Sequence, residues 1–346
     1  MLNNTLRFHF LGMLKIIIIG AGVVGQATGK GLIKKGHYVI FVDNKPSVIN
    51  ALKKQGFTAY LQDKLPHFYA DISMFCIPTP YACGVTDLSQ ITSSVAAHGA
   101  WLKKGISSYH LIVIKSTVPP YTTRRKLLPL LELGSKLRVG KDIGLCMQPE
   151  FLRTKSAESD FLNPRVTVIG EYDSLSGDRL QELYSDFEGQ IIRVDLETAE
   201  FTKYIHNCFN ATKISFANEM WLLGRRLGID ANSALQVAVK SGEGFWNPGY
   251  GTLGGEPYNG SCLPKDVKAF LSFAKQYNSD MPVLRGADLV NSRMKKATIK
   301  SSRRRQNHKT GDNRLTDVSN GSLSLPAKNR TRSNILEKRE ILVARL

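Results

Sequence analysis

The chain has no CxxC pair, no cysteine–histidine spacing suited to zinc, and no apolar run long enough to span a bilayer. Its cysteines (Cys76, Cys83, Cys146, Cys208 and Cys262) are scattered and odd in number. That argues against a disulfide framework or a metal site and fits a reducing cytoplasm. Residues 1–12 lack the apolar core and small-residue cleavage site of a secretory signal, so an N-terminal extension without structure is expected there. Residues 300–346 contain no aromatic side chain. This bears on the net charge of +18, because that stretch carries 12 Lys/Arg against 4 Asp/Glu. A nucleic-acid reader concentrates charge on a structured face and adds stacking aromatics. The tail has no such aromatics, so it is expected to be basic, solvated and disordered, and nucleic acid is not expected as a partner.

What is present is an alternation. Apolar runs recur at Lys15–Ile19, Tyr38–Val42, Ile72–Cys76, Leu111–Ile114, Gly144–Met147 and Val166–Ile169. Stretches with helical spacing lie between several of them, such as Leu88–Lys103 and Thr122–Leu133. Strand and helix in turn predict an α/β, Rossmann-like, doubly wound parallel sheet over residues 13–196. The pattern then changes. Phe201, Tyr204, Ile205, Cys208, Phe209, Thr212, Phe216, Met220 and Leu223 recur at three- and four-residue steps, which predicts one long amphipathic helix. Gly228 and Asp230 read as a helix stop and the cap of the next helix. Seven glycines between Ser241 and Gly260 predict an open loop, and two helices are expected from Pro264 to about Lys296. Residues 197–299 are therefore expected to form an all-helical domain, with residues 300–346 as the tail.

Gly20-Ala21-Gly22-Val23-Val24-Gly25 follows an apolar strand, opens a helix, and is followed 18 positions past its last glycine by Asp43. That context predicts a dinucleotide site. The glycines allow a tight turn and close approach of the pyrophosphate, which the helix N-terminus at Val23 and Val24 would hold. Asp43 would bond the adenosine ribose and repel a 2′-phosphate, favouring NAD over NADP.

Cys262 stands in Gly260-Ser261-Cys262-Leu263-Pro264-Lys265-Asp266, just before a predicted helix. A helix N-terminus and a nearby lysine both favour the thiolate, which can add to an aldehyde carbon. The bland alternative is a small buried core residue. Lys203, Asn207 and Asn210 share one helix face. They form either a solvated stripe or a group that stabilises developing negative charge on oxygen.

Six segments in order carry a resemblance: GAGVVG; Cys76-Ile77-Pro78-Thr79-Pro80; Lys115-Ser116-Thr117-Val118-Pro119-Pro120; Pro149-Glu150-Phe151-Leu152-Arg153; Glu200 to Glu219; and GSCLPKD. Together they closely resemble the nucleotide-sugar 6-dehydrogenases, the family of the UDP-glucose, GDP-mannose and UDP-N-acetylmannosamine dehydrogenases. The resemblance covers about Met13 to Lys296. It implies a four-electron oxidation of the sugar C6 hydroxyl to a carboxylate with two NAD⁺ reduced, in polysaccharide precursor synthesis. It makes Cys262 the thioester-forming nucleophile, Lys203 and Asn207 the oxyanion stabilisers, and Glu150 the residue that helps water hydrolyse the thioester. Thr117 and Asp266 would hold the water or proton relay of the first step. Thr79, Thr117 and Lys265 would join the glycine turn in holding the cofactor. The long helix resembles the family's dimerisation helix, so a homodimer is expected.

The chain departs from the family pattern in places. Thr154 and Lys155 stand where the family usually has Glu-Gly, and the loop Gly249–Cys262 is longer than the compact form most members resemble. Nothing after Lys300 reads like the family's third, nucleotide-gripping domain, so weak turnover of free substrate is expected. Two other readings stay open: a two-domain hydroxyacid dehydrogenase of the 6-phosphogluconate type, which needs no cysteine, and a non-catalytic NAD-binding dimerisation module.

Overall fold

The computed structural model describes residues 12–82, 84–105 and 109–311, with side chains described as far as Thr298. Cys83, the extension before Gly12 and the tail beyond Gly311 lie outside the described residues. Residues up to Ser215 form one compact unit and those from Phe216 a second.

Among the described residues, ten strands belong to the first unit: β1 (Lys15–Ile19), β2 (Tyr38–Asp43), β3 (Ala59–Leu61), β4 (Ile72–Phe75), β5 (Tyr81–Ala82), β6 (Val85–Thr86), β7 (His110–Ile114), β8 (Ile143–Met147), β9 (Val166–Glu171) and β10 (Gln190–Asp195). Eight of them form one sheet in the order β3-β2-β1-β4-β7-β8-β9-β10, and β5 pairs with β6 alone. Every pairing in the large sheet is parallel except β8 with β9, where Cys146 faces Glu171 and Met147 faces Gly170. The strand order reverses between β1 and β4, which is where open α/β sheets bind ligands.

Helices α1 (Val23–Lys34), α2 (Pro46–Lys54), α3 (Ser89–Leu102), α4 (Leu128–Ser135), α5 (Ala157–Leu162) and α6 (Ser174–Leu183) cross between strands. They leave both faces of the sheet covered, so its strands read as unbroken apolar runs. In β1, Ile16 and Ile18 enter one core cluster while Ile17 and Ile19 enter the other. All four are buried, each contributing roughly 2 kcal/mol of transfer free energy.

Four strands escape the sequence reading. β3 is only three residues long at the sheet edge, and β10 is the opposite edge, with alternating half-buried side chains and no fully buried one. Edge strands bury less, so their hydrophobic signal is weak. The two-residue strands β5 and β6 carry no such signal at all.

The long helix is α7 (Leu196–Leu227), followed by α8 (Ala231–Ser241), the single turn α9 (Glu243–Trp246), α10 (Leu263–Gln276) and α11 (Pro282–Gly311). Gly228 takes φ +70°, and Asp230 caps α8 by accepting from the backbone N–H groups of Asn232 and Ser233, as the sequence predicts. The sequence places the domain boundary ahead of the long helix at 196/197, whereas the compact units divide inside α7 between Ser215 and Phe216. The first turns of α7 explain this, because Leu196, Ala199 and Glu200 are wholly buried in the sheet unit. α11 likewise runs past Lys300, where apolar periodicity stops. Lysine, arginine and glutamine are good helix formers even without an apolar stripe.

Candidate active site

The glycine turn lies between β1 and α1, at the reversal of strand order. Gly20 has φ +92°, a conformation that disfavours a side chain, and a Cβ there would sit 2.6 Å from the Cys76 carbonyl oxygen. A Cβ on Gly25 would lie 1.9 Å from the Gly20 carbonyl oxygen, so only glycine lets α1 pack this close to the turn. Gly22, the N-cap of α1, differs: a Cβ there meets nothing within 4 Å. The space over the helix start is open, and the first N–H groups of a helix, here those of Val23, Val24 and Gly25, have no intrahelical partner. At the end of β2, Asp43 accepts from the Ala21 N–H at 2.8 Å and from the Lys45 N–H at 2.9 Å. The acid is thus locked beside the turn with lone pairs left for a ribose. A tight turn, an open helix N-terminus and an adjacent carboxylate fit the diphosphate and ribose of a dinucleotide.

The ends of β4 and β7 close the same region. Ser116 Oγ accepts from the Ile77 N–H at 2.9 Å, and Thr79 Oγ1 donates to the Thr117 carbonyl at 2.5 Å. The structure thus brings Thr79 and Thr117 together. Ser116 is the link the sequence reading leaves without a role.

Beyond β8, the chain Pro149–Arg153 meets α7. Lys203 Nζ lies 3.0 Å from Glu150 Oε1 and donates to the Glu150 carbonyl at 2.5 Å. Both side chains are largely buried, and Glu150 Oε2 is further fixed by the Leu152 N–H at 2.7 Å. The ring of His206 packs 4.7 Å from that of Phe151. Burial lowers the His206 pKa and the Lys203 charge lowers it further, partly offset by the Glu150 charge. Asn207, one turn beyond Lys203, is exposed, and Asn210 Nδ2 lies 3.2 Å from His206 Nε2.

Two contacts anchor this end of α7. Glu200 is wholly buried and accepts the Thr123 N–H at 2.7 Å, while Arg124 pairs with Glu197 at 2.6 Å. Burial pushes the Glu200 carboxyl pKa up. The helix that presents Lys203 is therefore bolted to the segment that follows Thr117. Sequence reasoning passed over Glu200, although an acid one turn ahead of Lys203, on the face that also carries Asn207 and Asn210, is a usable signal.

Cys262 belongs to the second unit. It is the N-cap of α10, its thiol is exposed, and Ser261 Oγ lies 3.7 Å from its sulfur. Its carbonyl accepts the Asp266 N–H at 2.8 Å, and Lys265 pairs with Asp266 at 2.6 Å on the surface. The other described thiols divide by burial. Cys76 is buried and its pKa is pushed up to about 12, Cys146 is buried and also raised, and Cys208 is exposed. Exposure at a helix start separates Cys262 from the two core thiols, which are inert. Among the described residues no group of His, Cys, Asp and Glu could hold a metal ion, and no helix is long and apolar enough to cross a membrane.

Residues 57–188 match the NAD binding domain of the UDP-glucose/GDP-mannose dehydrogenase family, and residues 197–293 match that family's central domain. Residues 16–65 also match the TrkA-N domain. The chain is 33% identical over 296 residues to a GDP-mannose 6-dehydrogenase of Pseudomonas putida, a match covering 78% of this chain and 66% of that protein. It is 31% identical to a UDP-glucose 6-dehydrogenase of Pseudomonas aeruginosa, covering 82% of this chain and 66% of that protein. A crystal structure of a ternary complex of GDP-mannose dehydrogenase from Pseudomonas aeruginosa superposes with a TM-score of 0.74 at 32% identity, covering 81% of this chain and 68% of that one. The chain thus spans about two thirds of the length of the curated relatives it matches.

Proposed function

Since the chain belongs to the UDP-glucose/GDP-mannose dehydrogenase family and carries its NAD binding and central domains, we propose that it takes part in the oxidation of a nucleotide sugar at C6 from alcohol to carboxylate. The glycine turn would hold NAD⁺, which would supply the hydride acceptor for each of the two oxidations. Gly20, Gly22 and Gly25 with the N–H groups of Val23 and Val24 hold its phosphates, and Asp43 its ribose. Thr79, Thr117 and Lys265 complete the cofactor contacts. Thr117 and Asp266 hold the water that accepts the C6 hydroxyl proton in the first step. The Cys262 thiolate then adds to the aldehyde carbon, and loss of a second hydride from that carbon leaves a thioester. Lys203 and Asn207 stabilise the negative oxygen that forms on addition. Glu150 orients and deprotonates the water that cleaves the thioester, releasing the carboxylate and the Cys262 thiol.

The observation that carries this reading is the buried Lys203–Glu150 pair. A lysine and a carboxylate fixed together at 3.0 Å, the lysine side chain 7% exposed, are costly to maintain unless the charges are used. The exposed Cys262 at the start of α10 supports it as the nucleophile. The test follows NADH with UDP-glucose and GDP-mannose in parallel. Two NADH per sugar carboxylate from one of them, with no carboxylate from Cys262→Ala, is the expected result. Carboxylate formation that survives Cys262→Ala would instead favour a hydroxyacid dehydrogenase.

The same reading pairs two copies of the chain through α7. Phe201, Ile205 and Phe209 repeat at four-residue steps and are all more than half exposed, an apolar stripe that water alone leaves unfavourable. Sedimentation of wild type as a dimer and of Ile205→Asp/Phe209→Asp as a monomer checks it. Free scattered thiols support a reducing, cytoplasmic setting.

A further inference from the structure

Beside Glu150 lies a cleft of about 580 Å³, within the range of small-molecule sites, and none of the cradle glycines lines it. Its walls are largely apolar, with Phe151 and Phe161 among them. Two acids line it, and each already has a cation: Glu150 is held by Lys203 at 3.0 Å and Asp160 by Arg153 at 2.6 Å. Two further lining cations, Lys115 and Arg165, make no ion pair among the described residues.

Lys115 forms the floor. It is 4% exposed, and its ammonium donates to Gln148 Oε1 at 2.8 Å, the same oxygen that accepts the Tyr184 hydroxyl at 2.9 Å. The centroid of the Phe161 ring lies 6.0 Å from the ammonium. Burial lowers the Lys115 pKa, the Lys203 charge lowers it further, and the Glu150 charge only partly offsets the two. The neighbouring Cys76 gives no counter-charge, since its thiol is held at about 12 and stays neutral. A desolvated ammonium whose hydrogen-bond partner is a neutral amide gains more from an incoming anion than a solvated one does. Arg165 is exposed and stands at the rim.

We propose that this cleft is an anion-binding site, in which Lys115 at the floor and Arg165 at the rim receive the carboxylate or phosphate of a sugar-bearing ligand. The proposal rests on the dehydrogenase reading for the source of that anion. One source is the uronate carboxylate of the product, and the other is the diphosphate of the nucleotide sugar. Sugar faces are apolar and suit Phe151 and Phe161, while the charged group suits the two unpaired cations.

The experiment measures binding to the whole chain by ligand-observed NMR and thermal shift, with glucuronate, pyrophosphate and uncharged glucose as probes and NAD⁺ as the control for folding. Saturable binding of at least one anion but not of glucose is expected. It should weaken about tenfold or more in Lys115→Met and in Arg165→Gln, while stabilisation by NAD⁺ persists. Preference for glucuronate assigns the site to the product carboxylate, and preference for pyrophosphate assigns it to the diphosphate. Wild-type protein that binds NAD⁺ but neither anion overturns the proposal. So does anion binding unchanged in both variants. Should Lys115→Met fail to fold, the exposed Arg165→Gln carries the test alone. Lys115-dependent anion binding without NADH production would refute the dehydrogenase reading and leave the site standing, while turnover without anion dependence would do the reverse.

Discussion

The two units of this chain bury their apolar residues very differently. The sheet unit has two core clusters, one on each face of the sheet, with β1, β4, β7 and β8 buried along their whole lengths or nearly so. The described core of the second unit is Leu223, Ala274 and Met281, with a few half-buried neighbours. It leaves Trp246, Leu253, Leu289 and Val290 more than half exposed. Surfaces of this kind mark interaction sites rather than a finished interior. The sheet unit holds its cofactor turn and its Lys203–Glu150 pair by packing. The helical unit places Cys262 on a helix start whose surroundings are open.

The largest expected effect tests that contrast directly. Phe75 is wholly buried in β4, and Phe75→Ala should cost about 3–5 kcal/mol by lost transfer energy and cavity formation. Leu253 is 91% exposed, and Leu253→Ala should stay within about 0.5 kcal/mol. Denaturant midpoints measure both. Comparable losses would mean that the helical unit buries Leu253 against a partner in solution, and the contrast would fail.

Next comes the pair at the site. Lys203→Ala strands the largely buried Glu150 carboxylate without its cation, and breaking such a pair costs about 3 kcal/mol. The double variant Lys203→Met/Glu150→Leu should recover much of that stability and none of the NADH production. A stable but inactive double variant separates a functional pair from a structural one. Recovery of activity would mean the charges do no chemistry.

A pH dependence confined to the sheet unit follows in size. His110 lies in β7 with one ring nitrogen 2.7 Å from the Ala70 carbonyl and the other 3.0 Å from Ser73 Oγ. Burial lowers its pKa to about 4, and burial also holds the neighbouring His98, its ring 6.0 Å away, well below the usual value. The unfolded chain binds these protons near pH 6.5, so the contribution to stability is complete above that pH. It is lost as pH falls from about 6.5 through the folded values, by about 3 kcal/mol for His110 at the acid end. Unfolding midpoints between pH 7 and 4.5 should fall for wild type and fall less for His110→Gln. Equal slopes would remove the histidines from the account.

How much of this was legible in the sequence follows the same division. The buried strands announce themselves because burial on both faces makes them continuous apolar runs, whereas β3 and β10 sit at the edges and do not. The glycine turn is legible because each glycine has a local reason. The Lys115–Gln148–Tyr184 network is not, since its members lie far apart in sequence and only the sheet brings them together. The same holds for Glu219, which caps α11 by accepting from the Val283 and Leu284 N–H groups. Pairing between distant polar residues has no periodic signature.

The smallest effect compares like with like. Each unit has a helix capped by an aspartate: Asp173 accepts the Ser176 N–H at 2.8 Å to cap α6, and Asp230 accepts the Asn232 and Ser233 N–H groups to cap α8. Replacing either by alanine should cost about 1 kcal/mol. The Asp173 cap lies in part-buried surroundings and the Asp230 cap on the surface, so the first loss should be the larger. Hydrogen exchange reads where each loss appears. If the units unfold independently, Asp230→Ala speeds exchange in α8 and leaves β1 untouched, and Asp173→Ala does the opposite. If either variant loosens both units equally, the thinly packed helical unit and the well-packed sheet unit share one unfolding transition. The difference in their cores would then mark where partners attach, not where the chain gives way first.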